Sequence, residues 1–226
     1  MKKIFNLFSA SLSKVHWTFF ISVMVCALGM MTANAQTRMY PVTKVSLQET
    51  NFDKLLSCGF NIDTAYKFVY YVWPSFTAEY CMTYDSKTKS LLLCKSKSKV
   101  GYSLTGKETK KARKKRLETY LLPVDDAFVD SLQSMFTAII NSASPDSQRS
   151  GLDGISYYFF MPTDINTVVS AWVPIDKSNC GRAVDIMERL CVAIEKKDNA
   201  ATEQLREEIV ALTAVFRALP AVYYVH

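Results

Sequence analysis

Phe76-Thr77-Ala78-Glu79-Tyr80-Cys81-Met82-Thr83-Tyr84, then Asp85-Ser86-Lys87-Thr88-Lys89, then Ser90-Leu91-Leu92-Leu93-Cys94-Lys95-Ser96 is the stretch that decides the fold. The first run is aromatic and β-compatible, the second has turn chemistry, and the third resumes an apolar run, so the whole predicts a β-hairpin. Opposing Asp85 to Ser90 makes paired residue numbers sum to 175, which sets Cys81 directly against Cys94. A cross-strand disulfide between them is a candidate if they occupy a close, non-hydrogen-bonded position of the ladder.

Working outward from the hairpin, strands are expected at Thr43–Glu49, Val100–Thr105 and Leu117–Leu122. Two more are expected at Ile155–Met161 and Thr167–Ile175, around Pro162-Thr163-Asp164. Asp63–Trp73 is read as a short helix that Pro74 stops, although the run Tyr66–Trp73 fits a strand as well. Phe128, Leu132, Met135, Phe136, Ile139 and Ile140 recur at helical spacing behind Asp125, an N-cap residue, giving a helix over Asp125–Ser142. Asn179–Lys196 and Thr202–Leu219 carry the same periodicity and close the chain. The class is therefore α+β, an antiparallel sheet of about five to seven strands covered by three or four helices, two of them C-terminal.

The N-terminal 35 residues are a separate matter. Lys2, Lys3 and Lys14 precede an apolar block from Trp17 to Met31, and Ala33-Asn34-Ala35 precedes Gln36. This is the pattern of a secretory signal peptide cleaved after Ala35, with residues 36–226 forming one domain. Removing the leader lowers the basic count from 27 to 24 against 21 acids, so the net charge falls from +6 to +3. A mildly basic exported protein does not require a polyanionic partner, and nucleic acid is not expected. The leader's Ala-Asn-Ala-Gln ending and the segment Gly151-Leu152-Asp153-Gly154-Ile155-Ser156-Tyr157 resemble small secreted proteins of Bacteroides-type bacteria, a likeness that implies no activity.

Histidine usage restricts the chemistry. The sequence has two, His16 in the leader and His226. A Ser-His-acid or Cys-His arrangement in the exported domain would rest on His226 alone, and a zinc site built on several histidines cannot form within one chain. The sequence also lacks a Gly-x-Ser-x-Gly elbow, a phosphate loop and a dinucleotide fingerprint. No cofactor and no metal are expected. A carboxylate pair remains available to a glycan hydrolase, with Glu79, Asp153, Asp164 and Asp176 as candidates; their ordinary readings are an exposed hairpin strand for Glu79 and turns or caps for Asp164 and Asp176.

Three features point to binding instead. Lys107–Arg116 holds seven basic residues in ten, and Lys110, Lys111, Arg113, Lys114, Lys115 and Arg116 are candidate contacts for an acidic protein, glycan or lipid surface. Asp153, between Gly151 and Gly154, is a candidate ligand acceptor, or part of a turn with Gly154 at positive φ. Tyr70, Tyr71, Trp73, Phe76 and Tyr80 form a candidate aromatic platform, or else core packing. Cys180 and Cys191, about 16 Å apart along one helix, cannot bridge each other. The expected role is an exported, non-catalytic interaction protein of the cell envelope, an inhibitor or immunity-type partner among its variants, with a carboxylate-dependent glycan hydrolase as the alternative.

Overall fold

The computed structural model describes residues 37–42, 67–74, 79–97, 117–147, 154–161 and 168–220. All of them belong to the compact unit Gln36–His226. Strands β1 (Tyr40–Pro41), β2 (Val69–Pro74), β3 (Tyr80–Asp85), β4 (Ser90–Ser96), β5 (Leu117–Pro123), β6 (Ile155–Phe160) and β7 (Val168–Trp172) form one sheet in the order β1-β7-β6-β2-β3-β4-β5. Every pairing is antiparallel. Helices α1 (Asp126–Asn141), α2 (Asn179–Lys196) and α3 (Asn199–Arg217) complete the α+β fold.

The hairpin forms because Asp85 organises its turn. Its carboxylate accepts from the Lys87 backbone N–H at 3.0 Å and from the Thr88 hydroxyl at 2.9 Å, and Lys89 closes the turn at φ 48°. Asp85 opposes Ser90, and the register runs unbroken to Cys81 opposite Cys94.

Over the described part of the helix expected at Asp63–Trp73, residues 67–73, the chain enters the strand β2 instead, and residues 63–66 lie outside the described residues. This strand lies between β3 and β6, and Val69, Tyr70, Tyr71 and Val72 are all buried. A central strand covered on both faces loses its alternation and reads as a continuous apolar run. Its β-branched and aromatic content, which suits a pleated surface, decides the outcome. β7 is also shorter than expected. Val173 turns away at φ 38°, although its N–H still donates to the Ile155 carbonyl at 3.0 Å, and Pro174 follows. The strands expected at Thr43–Glu49 and Val100–Thr105 lie outside the described residues.

All three helices pack on one face of the sheet. Tyr70, Val72, Met82, Leu91, Leu93, Leu122, Phe159 and Val169 project from that face into the main core, where Phe128, Leu132, Phe136, Met187, Leu190, Ile209 and Phe216 meet them. The other face carries a second buried cluster, Val69, Tyr71, Cys81, Leu92, Cys94, Tyr158 and Val168, and no described helix contributes to it. The two clusters follow directly from the two-residue period of the strands.

The helix ends are built by local polar chemistry. Asp125 caps α1 by accepting from the Phe128 N–H at 2.7 Å, Ser178 caps α2 through the Gly181 N–H at 3.0 Å, and Asp198 caps α3 through the Ala201 N–H at 3.1 Å. Such caps contribute about 1 kcal/mol each. Residue 181 has to be glycine: a Cβ there would stand 2.1 Å from the Ile175 carbonyl oxygen. Arg206 of α3 reaches back to Asp125 at 2.6 Å, and Arg189 of α2 forks onto Glu208 of α3 at 2.9 and 2.5 Å. These contacts seat α3 across α1 and α2.

Candidate functional site

Among the described residues, the densest polar constellation on the helix-covered face lies where α2 crosses one end of the sheet. Strand register sets a transverse row there: Ala171, Tyr157, Val72, Tyr80, Lys95 and Glu118 stand opposite one another in succession from β7 to β5. Above the row, α2 presents Glu188, Cys191 and Glu195, spaced three and four apart and therefore on one side of the helix. Glu188 accepts from the Tyr70 hydroxyl at 2.7 Å and from the Tyr80 hydroxyl at 2.5 Å. Lys95 donates to Glu195 at 2.5 Å and lies over the Tyr80 ring, 5.6 Å from its centroid.

The electrostatics bear on the phenols and the thiol of this seam. Burial, followed by the negative field of Glu188, pushes the Tyr70 and Tyr80 phenols far above their ordinary value, so both are fixed as donors. Tyr157 moves the same way for the same reasons. The Cys191 thiol is raised by burial first and Glu188 second, so it stays protonated and is a poor nucleophile. Each carboxylate of the seam thus meets a donor from the sheet. Chemically, this arrangement fastens a helix to a sheet.

A second feature lies on the outer surface. A groove of about 580 Å³ runs between α1 and α3, with Asp130, Ser131 and Ser134 on one wall and Val210, Ala214 and Arg217 on the other.

The sequence candidates fall in different places. Lys110, Lys111, Arg113, Lys114, Lys115, Arg116, Asp153, Asp164 and Phe76 lie outside the described residues, as do the leader, Cys58 and His226. Trp73 is the last residue but one of β2 and is 41% exposed. The aromatic platform is not formed by the members that are described. Tyr70 and Tyr71 are consecutive on β2, buried on opposite faces, and serve the two cores.

Glu79 reverses its expected exposure. It is 3% exposed and accepts from the Tyr71 hydroxyl at 2.8 Å. Asp176, by contrast, sits exposed in the turn before α2. Gly154 has no positive φ; its lack of a Cβ is what matters, because a Cβ there would stand 2.7 Å from both Trp172 Nε1 and Val173 Cγ2.

Cys81 and Cys94 are opposed as the register requires, yet they remain buried thiols and form no disulfide. The Ser96 N–H donates to the Glu79 carbonyl at 2.9 Å, so Glu79 and Ser96 are a hydrogen-bonded pair. The ladder repeats every two residues, which makes Cys81 and Cys94 a hydrogen-bonded pair as well, with Cα atoms about 5.5 Å apart rather than about 4.5 Å. The close position that a bridge called for is not met. Burial, then the adjacent Cys94, raises the Cys81 thiol well above its ordinary value.

Among the described residues, no group of three His, Cys, Asp or Glu side chains is placed to hold a metal ion. No helix among them is long and apolar enough to cross a membrane. Glu188, Glu195 and Lys95 were missed by sequence reasoning, although a signal existed. Val184, Glu188, Cys191 and Glu195 follow one another at helical spacing, so two acids interrupt an otherwise apolar stripe. No protein-family model, no curated protein and no solved structure matches the chain.

Proposed function

We propose that the chain is an exported, non-catalytic binding protein that acts by contact with another envelope or secreted protein, or with an acidic glycan or lipid surface. The observation that carries the reading is the use made of the seam. Glu188 is taken up by two phenols and Glu195 by Lys95, while the buried thiols are held protonated. The groups best suited to chemistry support the fold instead. The secretory leader and the basic run Lys107–Arg116 supply the compartment and a cationic contact surface. A stoichiometric inhibitor or immunity-type partner of a secreted enzyme is the variant that best fits a rigid sheet-and-helix body of this size.

Affinity capture from a fractionated cell envelope tests the proposal. One protein or acidic glycan should be enriched, and replacing Lys110, Lys111, Lys114 and Lys115 by glutamine should weaken that capture and flatten its salt dependence. Turnover of an envelope polysaccharide by the purified protein, lost in Asp153→Asn with folding intact, would overturn it.

A further inference from the structure

The outward side of α3 carries a charge order that is complementary to itself. Successive residues of a helix are about 100° apart, so Glu203, Glu207, Val210, Ala214 and Arg217 share one stripe. All five are exposed. From N- to C-terminus the stripe therefore runs acidic, acidic, apolar, apolar, basic. Val210 is 56% exposed, more than any other large hydrophobic residue among those described.

The remaining charges of α3 are engaged within the chain. Glu208 meets Arg189, and Arg206 meets Asp125 and Glu203. Glu207 and Arg217 have no ion-pair partner among the described residues. Two unmatched opposite charges bracket an exposed valine beside an open groove.

We propose that this face joins two copies of the chain, α3 against α3, antiparallel about a two-fold axis level with residue 212. In that arrangement contacting residue numbers sum to 424. Val210 lies over the Ala214 of the second copy, and Glu207 meets its Arg217. The two-fold repeats each contact, because an isologous interface uses every pairing twice. Glu207 and Arg217 are separated by about 15 Å along the helix, so the two ion pairs flank the two Val–Ala contacts. An apolar centre with a charged rim is the usual anatomy of such an interface.

The small side chains Ala211, Ala214 and Ala218 allow the close approach of helix axes that ridge-and-groove packing needs. The groove between α1 and α3 lies beside this contact and takes up the Val210 side chain of the second copy. Charge order also fixes direction: a parallel pairing would set Glu207 against Glu207 and Arg217 against Arg217, which opposes that alternative.

Sedimentation of the purified protein across a concentration series tests the dimer, with circular dichroism confirming that each variant is folded. The expected mass is twice that of one chain. Val210→Glu should raise the dimer dissociation constant about a hundredfold by burying a charge at the centre. Glu207→Arg and Arg217→Glu should each raise it roughly tenfold, since each single swap sets like charges together twice. The double variant E207R/R217E should recover the original constant. A protein that is monomeric at every concentration overturns the proposal, as does a dimer indifferent to V210E or a double swap that fails to recover. So does a monomer that captures an envelope protein through this face and loses it in V210E, because the occupant is then not a second copy.

Discussion

Replacing Glu188 by alanine tests the seam between α2 and the sheet most directly. The carboxylate accepts from Tyr70 at 2.7 Å and from Tyr80 at 2.5 Å. Tyr70 is wholly buried, so after Glu188→Ala its hydroxyl has no acceptor, and an unsatisfied buried donor costs about 1–3 kcal/mol. Tyr80 is only half-buried and recovers a water, which limits its loss to about 1 kcal/mol. The sum is about 3 kcal/mol.

Tyr70→Phe behaves differently. It removes the donor itself, leaves no orphan, and spares the Tyr80 contact, so it should cost about 1 kcal/mol. The decisive variant is the double, Y70F/E188A. It lacks the stranded hydroxyl and should therefore be more stable than E188A alone, by about 1–2 kcal/mol. Urea unfolding resolves these differences, and thermal midpoints should move by about 2–4 °C per kcal/mol for a chain of this size. Equal losses in the two single variants, or a double variant that falls by their sum, would refute the orphaned-donor reasoning.

Stability should fall in alkali. The Tyr70 and Tyr80 phenols are raised by burial and then by Glu188, and burial lifts the Cys180 thiol to about 12. Above the pKa of each unfolded group the folded chain binds more protons than the unfolded one, so its stabilisation is present at neutral pH and is lost as pH climbs. The decline should begin near pH 9, where unfolded cysteine titrates, steepen near pH 10, and be shallower in Tyr70→Phe; denaturant midpoints between pH 7 and 11 measure it. Gly181→Ala should destabilise more than Gly154→Ala in urea unfolding, by about 3 against about 1–2 kcal/mol, because its Cβ meets a backbone carbonyl at 2.1 Å while that of residue 154 meets side chains able to move. Maleimide labelling of the native protein followed by peptide mass spectrometry should leave Cys81, Cys94, Cys180 and Cys191 unmodified until denaturant is added; recovery of a Cys81–Cys94 disulfide would contradict the register argument.

Much of the architecture was legible because local chemistry and the fold agree. Asp85 opposite Ser90 fixed the hairpin register as far as Cys81 and Cys94, the cap Asp125 with helical spacing marked α1, and helical spacing alone marked α3. The first turn of α3, Asn199-Ala200-Ala201, holds no large apolar residue, so periodicity alone placed its start three residues late. β2 was misread because burial on both faces erases the alternation that identifies a strand. The candidate site was less legible still. Tyr70 and Tyr80 meet Glu188 from more than 100 residues away, and Glu79 is buried because Tyr71 lies across the ladder from its strand. Spacing along the chain records neither contact.

The strand order also dictates when this sheet can be finished. β2 lies at its centre, between β3 and β6, and each of its residues from Val69 to Pro74 is paired with one from Ile155–Phe160. A chain synthesised only through Pro123 already holds β2 to β5, but the other edge of β2, Tyr70 and Tyr71 included, has no strand to bond. Exposed apolar edges of this kind recruit other chains. β1 waits longer still, since Tyr40 pairs with Ser170. Such distant pairings are slow to close. The protein therefore stays open until its last third has emerged, and any device that delays folding, the export proposed above included, would have only that last segment to withhold.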